Sequence, residues 1–208
     1  MHLFVKSVKM ILLVSLVAVV MNVIRFVMTG YESYLWLNRN LFLALLPILF
    51  AWLAVRTKQP WLSFIFILAW FGFLPNAPYL VTDFIHIAVV GPKSMIWYDA
   101  MMIFMYSIAG IAAWMLSVHV LRTFLKWRLW TVWVIALFTG FGVYLGRYVR
   151  FNTWNLVTHP FSVFQKIGDI FTHHQLHEPV LLMTIVFAVV LGTLYTVCTS
   201  YSHEETKN

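Results

Sequence analysis

Asp83 and His86 stand three residues apart in the run LPNAPYLVTDFIHI at 74–87. At that spacing a carboxylate and an imidazole share one face of a helix, where they can pass a proton, orient a base or contribute to a metal site. Asp99 follows in WYDAMM at 97–102, in the first turn of a long apolar segment. The helix dipole favours its charge there, but the oily surroundings demand water or a cation, and Arg147 and Arg150 are the candidate partners. Those two arginines share a face in GFGVYLGRYVRFNTWN at 140–155, where two guanidinium forks can clamp a phosphate or a carboxylate. Asn76 before the Asp83–His86 pair, and Asn152 and His159 after the arginines, add polar groups to the set. The expected chemistry is recognition of an anionic group by Asn76, Arg147, Arg150 and Asn152, with Asp83, His86, Asp99 and His159 as acids, bases or metal ligands. Salt bridges between the arginines and the aspartates are a competing structural reading, and snorkelling of the arginines to lipid headgroups is another.

The elements that must carry these residues are membrane spans. Of 208 residues, 62% are hydrophobic and only 10% charged, and the mean hydropathy is +0.85. Apolar runs near or above the ~18 residues that suggest a crossing recur along the chain. They fall at 10–28, 41–55, 61–74, 96–121, 129–149 and 179–199. No short segments with period-two alternation are present, which argues against a transmembrane barrel. The expected fold is all-α, a polytopic transmembrane helical bundle of about six crossings forming one integral membrane domain over 1–208. The first run follows Lys6 and Lys9 but lacks a small-residue cleavage site, so it reads as a retained helix and not a signal peptide.

The third run has 14 residues, about 21 Å of helix, too short for a ~30 Å hydrocarbon core. Pro75 and Pro78 then break it, and the broken backbone at that depth must be sheltered by protein or line a wet cavity. Asn76 is placed to bond the loosened carbonyls. After the break, YLVTDFIHIAVV is apolar enough to form a re-entrant or interfacial half helix before Gly91 and Pro92. Pro47 is expected to kink the second helix. Gly142 and Gly146 form a close-packing motif on the fifth.

Orientation follows from lysine and arginine in the short loops. With the N-terminus cytoplasmic, Lys6, Lys9, Arg56, Lys58, Arg122, Lys126, Arg128 and Lys207 all fall on the inner side, and the polar residues described above gather on the outer side. The net charge of +7 then reflects inner-leaflet anchoring and not nucleic-acid binding, since no basic run exceeds KWR. Cys198 is the only cysteine and excludes an internal disulfide. The loop at 151–178 carries Phe161, Phe164, Ile167, Ile170 and Phe171 at helical spacing, which predicts an amphipathic outer-surface segment within 159–178. His173, His174, His177 and Glu178 in the same loop read as a surface cluster in preference to a metal site.

The runs LPNAPYLVTDFIH, WYD and GRYVRFNTWN, in this order and spacing, resemble the bacterial membrane-protein family catalogued as domain of unknown function 1361. The likeness extends from roughly the second helix to the sixth. It implies a bacterial membrane protein and brings no established activity. The family pattern often has aspartate where this chain has Asn155, so no carboxylate role is carried to that position.

The functional expectation is a multi-pass protein of the bacterial cytoplasmic membrane, both termini inside, whose outer polar pocket binds an anionic headgroup or a lipid-linked ligand. A transport path for a solute or ion is the alternative, against which stands the reading that the first, second and sixth helices lack deep polar residues. An accessory subunit with a purely structural polar network is the third. The sequence fixes neither a metal, a cofactor nor an oligomeric state.

Overall fold

The computed structural model describes residues 2–30, 34–87, 93–149, 168 and 177–205, and no strand occurs among them. Helix α1 spans His2–Thr29, α2 Trp36–Arg56, α3 Pro60–Phe73 and the short α4 Asn76–Tyr79. A 3-10 turn continues over Leu80–His86, and another over Lys93–Met95 leads into α5, Ile96–Phe124. Then come α6, Leu129–Arg147, and α7, His177–Glu205. Among the described residues, six helical segments are long and apolar enough to cross a membrane, with Pro60–His86 counted as one. The segment 159–178 lies, apart from Gly168 and the start of α7, outside the described residues, as do Arg150, Asn152 and His159.

The chain forms two compact units, Met1–Leu121 and Arg122–Asn208. In the first, α1 buries Ile11, Ser15, Ala18, Asn22 and Arg25, a stripe that alternates steps of four and three residues and so lies along one face. The other faces show Leu12, Leu13, Leu16, Val20 and Val27 to the outside, as expected where the solvent is lipid. On α2 the same spacing buries Leu37, Leu41, Ala44, Ile48 and Ala51. Ile11, Ile48 and Ala113 meet in one apolar cluster that joins α1, α2 and α5. Pro47 is buried within α2, which runs on to Arg56. Ser63 donates to the Ala54 carbonyl at 2.8 Å, tying the start of α3 to the end of α2.

The two prolines bend the third span without ending it. Proline's fixed φ near −65° fits a right-handed helix, and its cost is the missing N–H. Pro75 sits at φ −62°, ψ −24° and Tyr79 at φ −53°, ψ −34°, so the chain stays right-handed through the bend. The loosened carbonyls find other donors. Asn76 Nδ2 donates to Phe73 O at 3.0 Å, as its position suggested, and Ala77 N tightens to Leu74 O at 3.2 Å. The expected shelter is α5: Ala77, Pro78 and Leu80 are buried, and Ser107 Oγ on α5 reaches the Leu80 carbonyl at 3.3 Å. Gly110, one turn further along α5, packs directly on the Ala77 carbonyl, where a Cβ would collide with the backbone. The half helix expected after the break is therefore a 3-10 continuation of the same span.

In the second unit α6 and α7 pack on each other. Tyr144 and Val180 centre an apolar cluster with Phe141, Leu145 and Met183. The close approach falls at Gly140, where an added Cβ would lie 2.7 Å from the Thr184 carbonyl oxygen, and at Gly192, against the Trp133 ring.

Candidate functional site

The buried polar side chains of α1 and α5 sit on helices that are otherwise apolar, where a polar group calls for a partner. Asp99, in the first turn of α5, is 1% exposed. Its carboxylate accepts a fork from Arg25 of α1, Nε to Oδ1 at 2.6 Å and Nη2 to Oδ2 at 3.1 Å. Arg25 is equally buried, at 1%. Its third nitrogen, Nη1, has no hydrogen-bond partner among the described residues, and its guanidinium carbon lies 4.4 Å from the centre of the Tyr34 ring. The cation on Asp99 is thus a residue outside the pair that spacing had offered.

Around this fork the neighbours satisfy one another. Asn22, one turn before Arg25, donates Nδ2 to the Tyr34 carbonyl at 2.7 Å and to the Tyr106 hydroxyl at 3.1 Å. The Tyr106 hydroxyl in turn donates to Asn38 Oδ1 on α2. Tyr98 reaches back from α5 to the Met21 carbonyl at 2.8 Å. Three helices are therefore linked through polar contacts. The expectation that the first helix lacks deep polar groups is corrected: Asn22 and Arg25 are buried on it, and the half-buried Asn38 near the start of α2 joins their network.

Tyr34, in the turn before α2, joins this network to the Asp83–His86 segment. Its hydroxyl donates to the His86 carbonyl at 3.2 Å, and the His86 ring meets Trp36 edge-on at 5.3 Å. Burial first, and the negative Asp99 second, push the Tyr34 hydroxyl up to about 12, partly offset by Arg25. Asp83 is wholly buried in the 3-10 turn, while His86 is half-buried. With three residues per turn the two positions eclipse each other, which keeps them on one face as the spacing required. Of the residues singled out from the sequence, the structure thus brings His86 and Asp99 to one end of the first unit through Tyr34, with Asp83 in the same turn as His86. Asn76 serves the proline bend. Arg147 closes α6 in the second unit. Among the described residues no three histidine, cysteine, aspartate or glutamate side chains gather to hold a metal.

Residues 39–194 match the model of a family described as a protein of unknown function (DUF1361). The chain belongs to this family. Asp83, His86, Asp99 and Tyr106 fall inside the matched stretch, whereas Asn22, Arg25 and Tyr34 precede it. The matched stretch therefore holds the acidic half of the ion pair and not its basic half. No curated protein and no solved structure matches the chain. With its six apolar spans, this DUF1361 member is a multi-pass membrane protein.

Proposed function

We propose that the protein binds a ligand bearing an anionic or other oxygen-rich headgroup, free or lipid-linked, at the end of the first unit where Arg25, Tyr34, Asp83, His86 and Asp99 collect. One observation carries the reading. Arg25 uses two of its nitrogens on Asp99 and keeps Nη1 buried with nothing to donate to among the described residues. A donor left unsatisfied in so apolar a setting costs about 1–3 kcal/mol, which an acceptor on a ligand would recover. His86, half-buried beside the buried Asp83, supplies the titratable group that processing of such a ligand would need. Arg147, Arg150, Asn152 and His159 are proposed as anion-binding groups on sequence grounds alone. The setting is the bacterial cytoplasmic membrane with both termini inside, supported by the distribution of lysine and arginine. A reporter fused after Asn208 that reads extracytoplasmic would reverse that orientation.

The test is native mass spectrometry with elemental analysis of the full chain in mild detergent, comparing wild type with His86→Gln and Asp83→Asn. The reading expects a phosphate- or carboxylate-bearing species on wild type, depleted in both variants, with His86→Gln melting no lower than wild type stripped of that species. A wild-type protein that carries no such species, or variants that keep it, would overturn the reading. The mutual satisfaction of Asn22, Tyr34, Asn38 and Tyr106 favours the accessory reading, in which the network only holds the fold. That reading expects Asp83→Asn to lower the melting temperature with no ligand to lose.

A further inference from the structure

The turn between α5 and α6 departs from its own backbone preference. Trp127 N donates to the Arg122 carbonyl at 3.0 Å, the six-to-one bond that closes a helix in a Schellman motif. The residue at its left-handed position is usually glycine, which adopts positive φ without strain. Here it is Lys126, at φ 53°, the one non-glycine residue with positive φ among the described residues. A strained lysine where glycine would fit points to a use for its charge.

The charge has company. Lys126 and Arg128 are exposed and Arg122 is half-buried, and no acidic residue occurs in 122–130. Arg122 is held in place by Nε on the Trp127 carbonyl and Nη1 on the Tyr195 hydroxyl of α7, both at 3.3 Å, with its guanidinium 5.8 Å from the Tyr195 ring. Arg122 is thus a fixed guanidinium beside two exposed cations. Interleaved with them, Phe124, Leu129 and Trp130 are exposed at 45%, 37% and 62%. Free phosphate would use the cations and gain nothing from that apolar rim. A phospholipid uses both, its headgroup meeting the cations while the rim enters the acyl boundary.

We infer that the α5–α6 turn is a binding site for the headgroup of an anionic phospholipid, formed by Arg122, Lys126 and Arg128. The site lies in the second unit and is independent of the ligand proposed above. The experiment titrates the full chain in detergent with phosphatidylglycerol or phosphatidylcholine and counts retained lipid by native mass spectrometry. Wild type, Lys126→Gly and Arg128→Gln are compared, and melting temperatures are recorded alongside. Wild type should retain phosphatidylglycerol over phosphatidylcholine, and each variant should lose about five-fold in that preference, the value of one cation near an anionic surface. Lys126→Gly should do so while melting no lower than wild type, because glycine relieves the turn; a turn lysine of purely structural use would leave lipid retention untouched. Equal retention of the two lipids, undiminished retention in both variants, or displacement of the lipid by millimolar inorganic phosphate would each overturn the inference.

Discussion

Replacing Asp99 by asparagine isolates the charge of the buried fork, because size and shape are kept. The wild-type pair joins at 2.6 and 3.1 Å with both side chains 1% exposed. Removing one partner of such a pair costs about 3–5 kcal/mol, since the other charge is left stranded. Asparagine can still accept one of the two bonds, which returns about 1 kcal/mol, so the expected loss is about 2–4 kcal/mol. It should not fall to the ~0.6 kcal/mol typical of hydrogen bonds measured within membranes, because a guanidinium cannot shed its proton. At roughly 2–4 °C per kcal/mol for a chain of this size, Asp99→Asn should melt about 4–16 °C below wild type in detergent. Adding Arg25→Met removes the stranded charge, and the double variant should melt above Asp99→Asn alone. An Asp99→Asn melting point within about 2 °C of wild type, or strictly additive losses in the double variant, would refute the buried-pair argument.

Two other perturbations probe the packing and the polar turn. Gly110→Ala drives a Cβ into the Ala77 carbonyl, and Gly140→Ala places one 2.7 Å from the Thr184 carbonyl oxygen. Neither backbone oxygen can swing away, so each variant should lose about 1–3 kcal/mol, read as a lowered melting temperature. For Tyr34, an unfolded phenol loses its proton near pH 10, while the folded one holds it to about 12. The folded state therefore binds more protons in that window, and stability should fall as pH rises across it. Tyr34→Phe should flatten the slope of melting temperature against pH above 10; an unchanged slope would remove Tyr34 as its source.

The spans were legible because lipid selects for uninterrupted apolar runs, and composition alone reports that. The shelter of the proline bend was legible too, since Pro75 and Pro78 leave carbonyls that must be met. Across the bend proline's own φ is helical, and Asn76 with Ala77 repairs the ladder. Arg25 was missed for a different reason. A single arginine inside the run MNVIRFVM looks like a helix end near the headgroups, and only its register with Ile11, Ser15, Ala18 and Asn22 shows that it points inward. That register was available in the sequence as small and polar residues recurring on one stripe of α1. The partner was not, because 74 residues separate Arg25 from Asp99 and no local spacing joins them.

The same stripe explains why the fold needs a charge there at all. Outside water, apolar burial does little to choose between faces of a helix, because lipid is as apolar as the neighbouring helix. On α1 the outward residues are leucine and valine and the inward ones include isoleucine and alanine, so packing alone discriminates weakly between rotations. Polar contacts decide it. Turning α1 outward would put Arg25 and Asn22 into lipid and strand Asp99, whereas the observed rotation lets Asn22 hold Tyr34 and Tyr106 while Arg25 holds Asp99. A lock of this kind requires matched charges and nothing more. It accounts for two of the nitrogens of Arg25, whose third, Nη1, has no hydrogen-bond partner among the described residues.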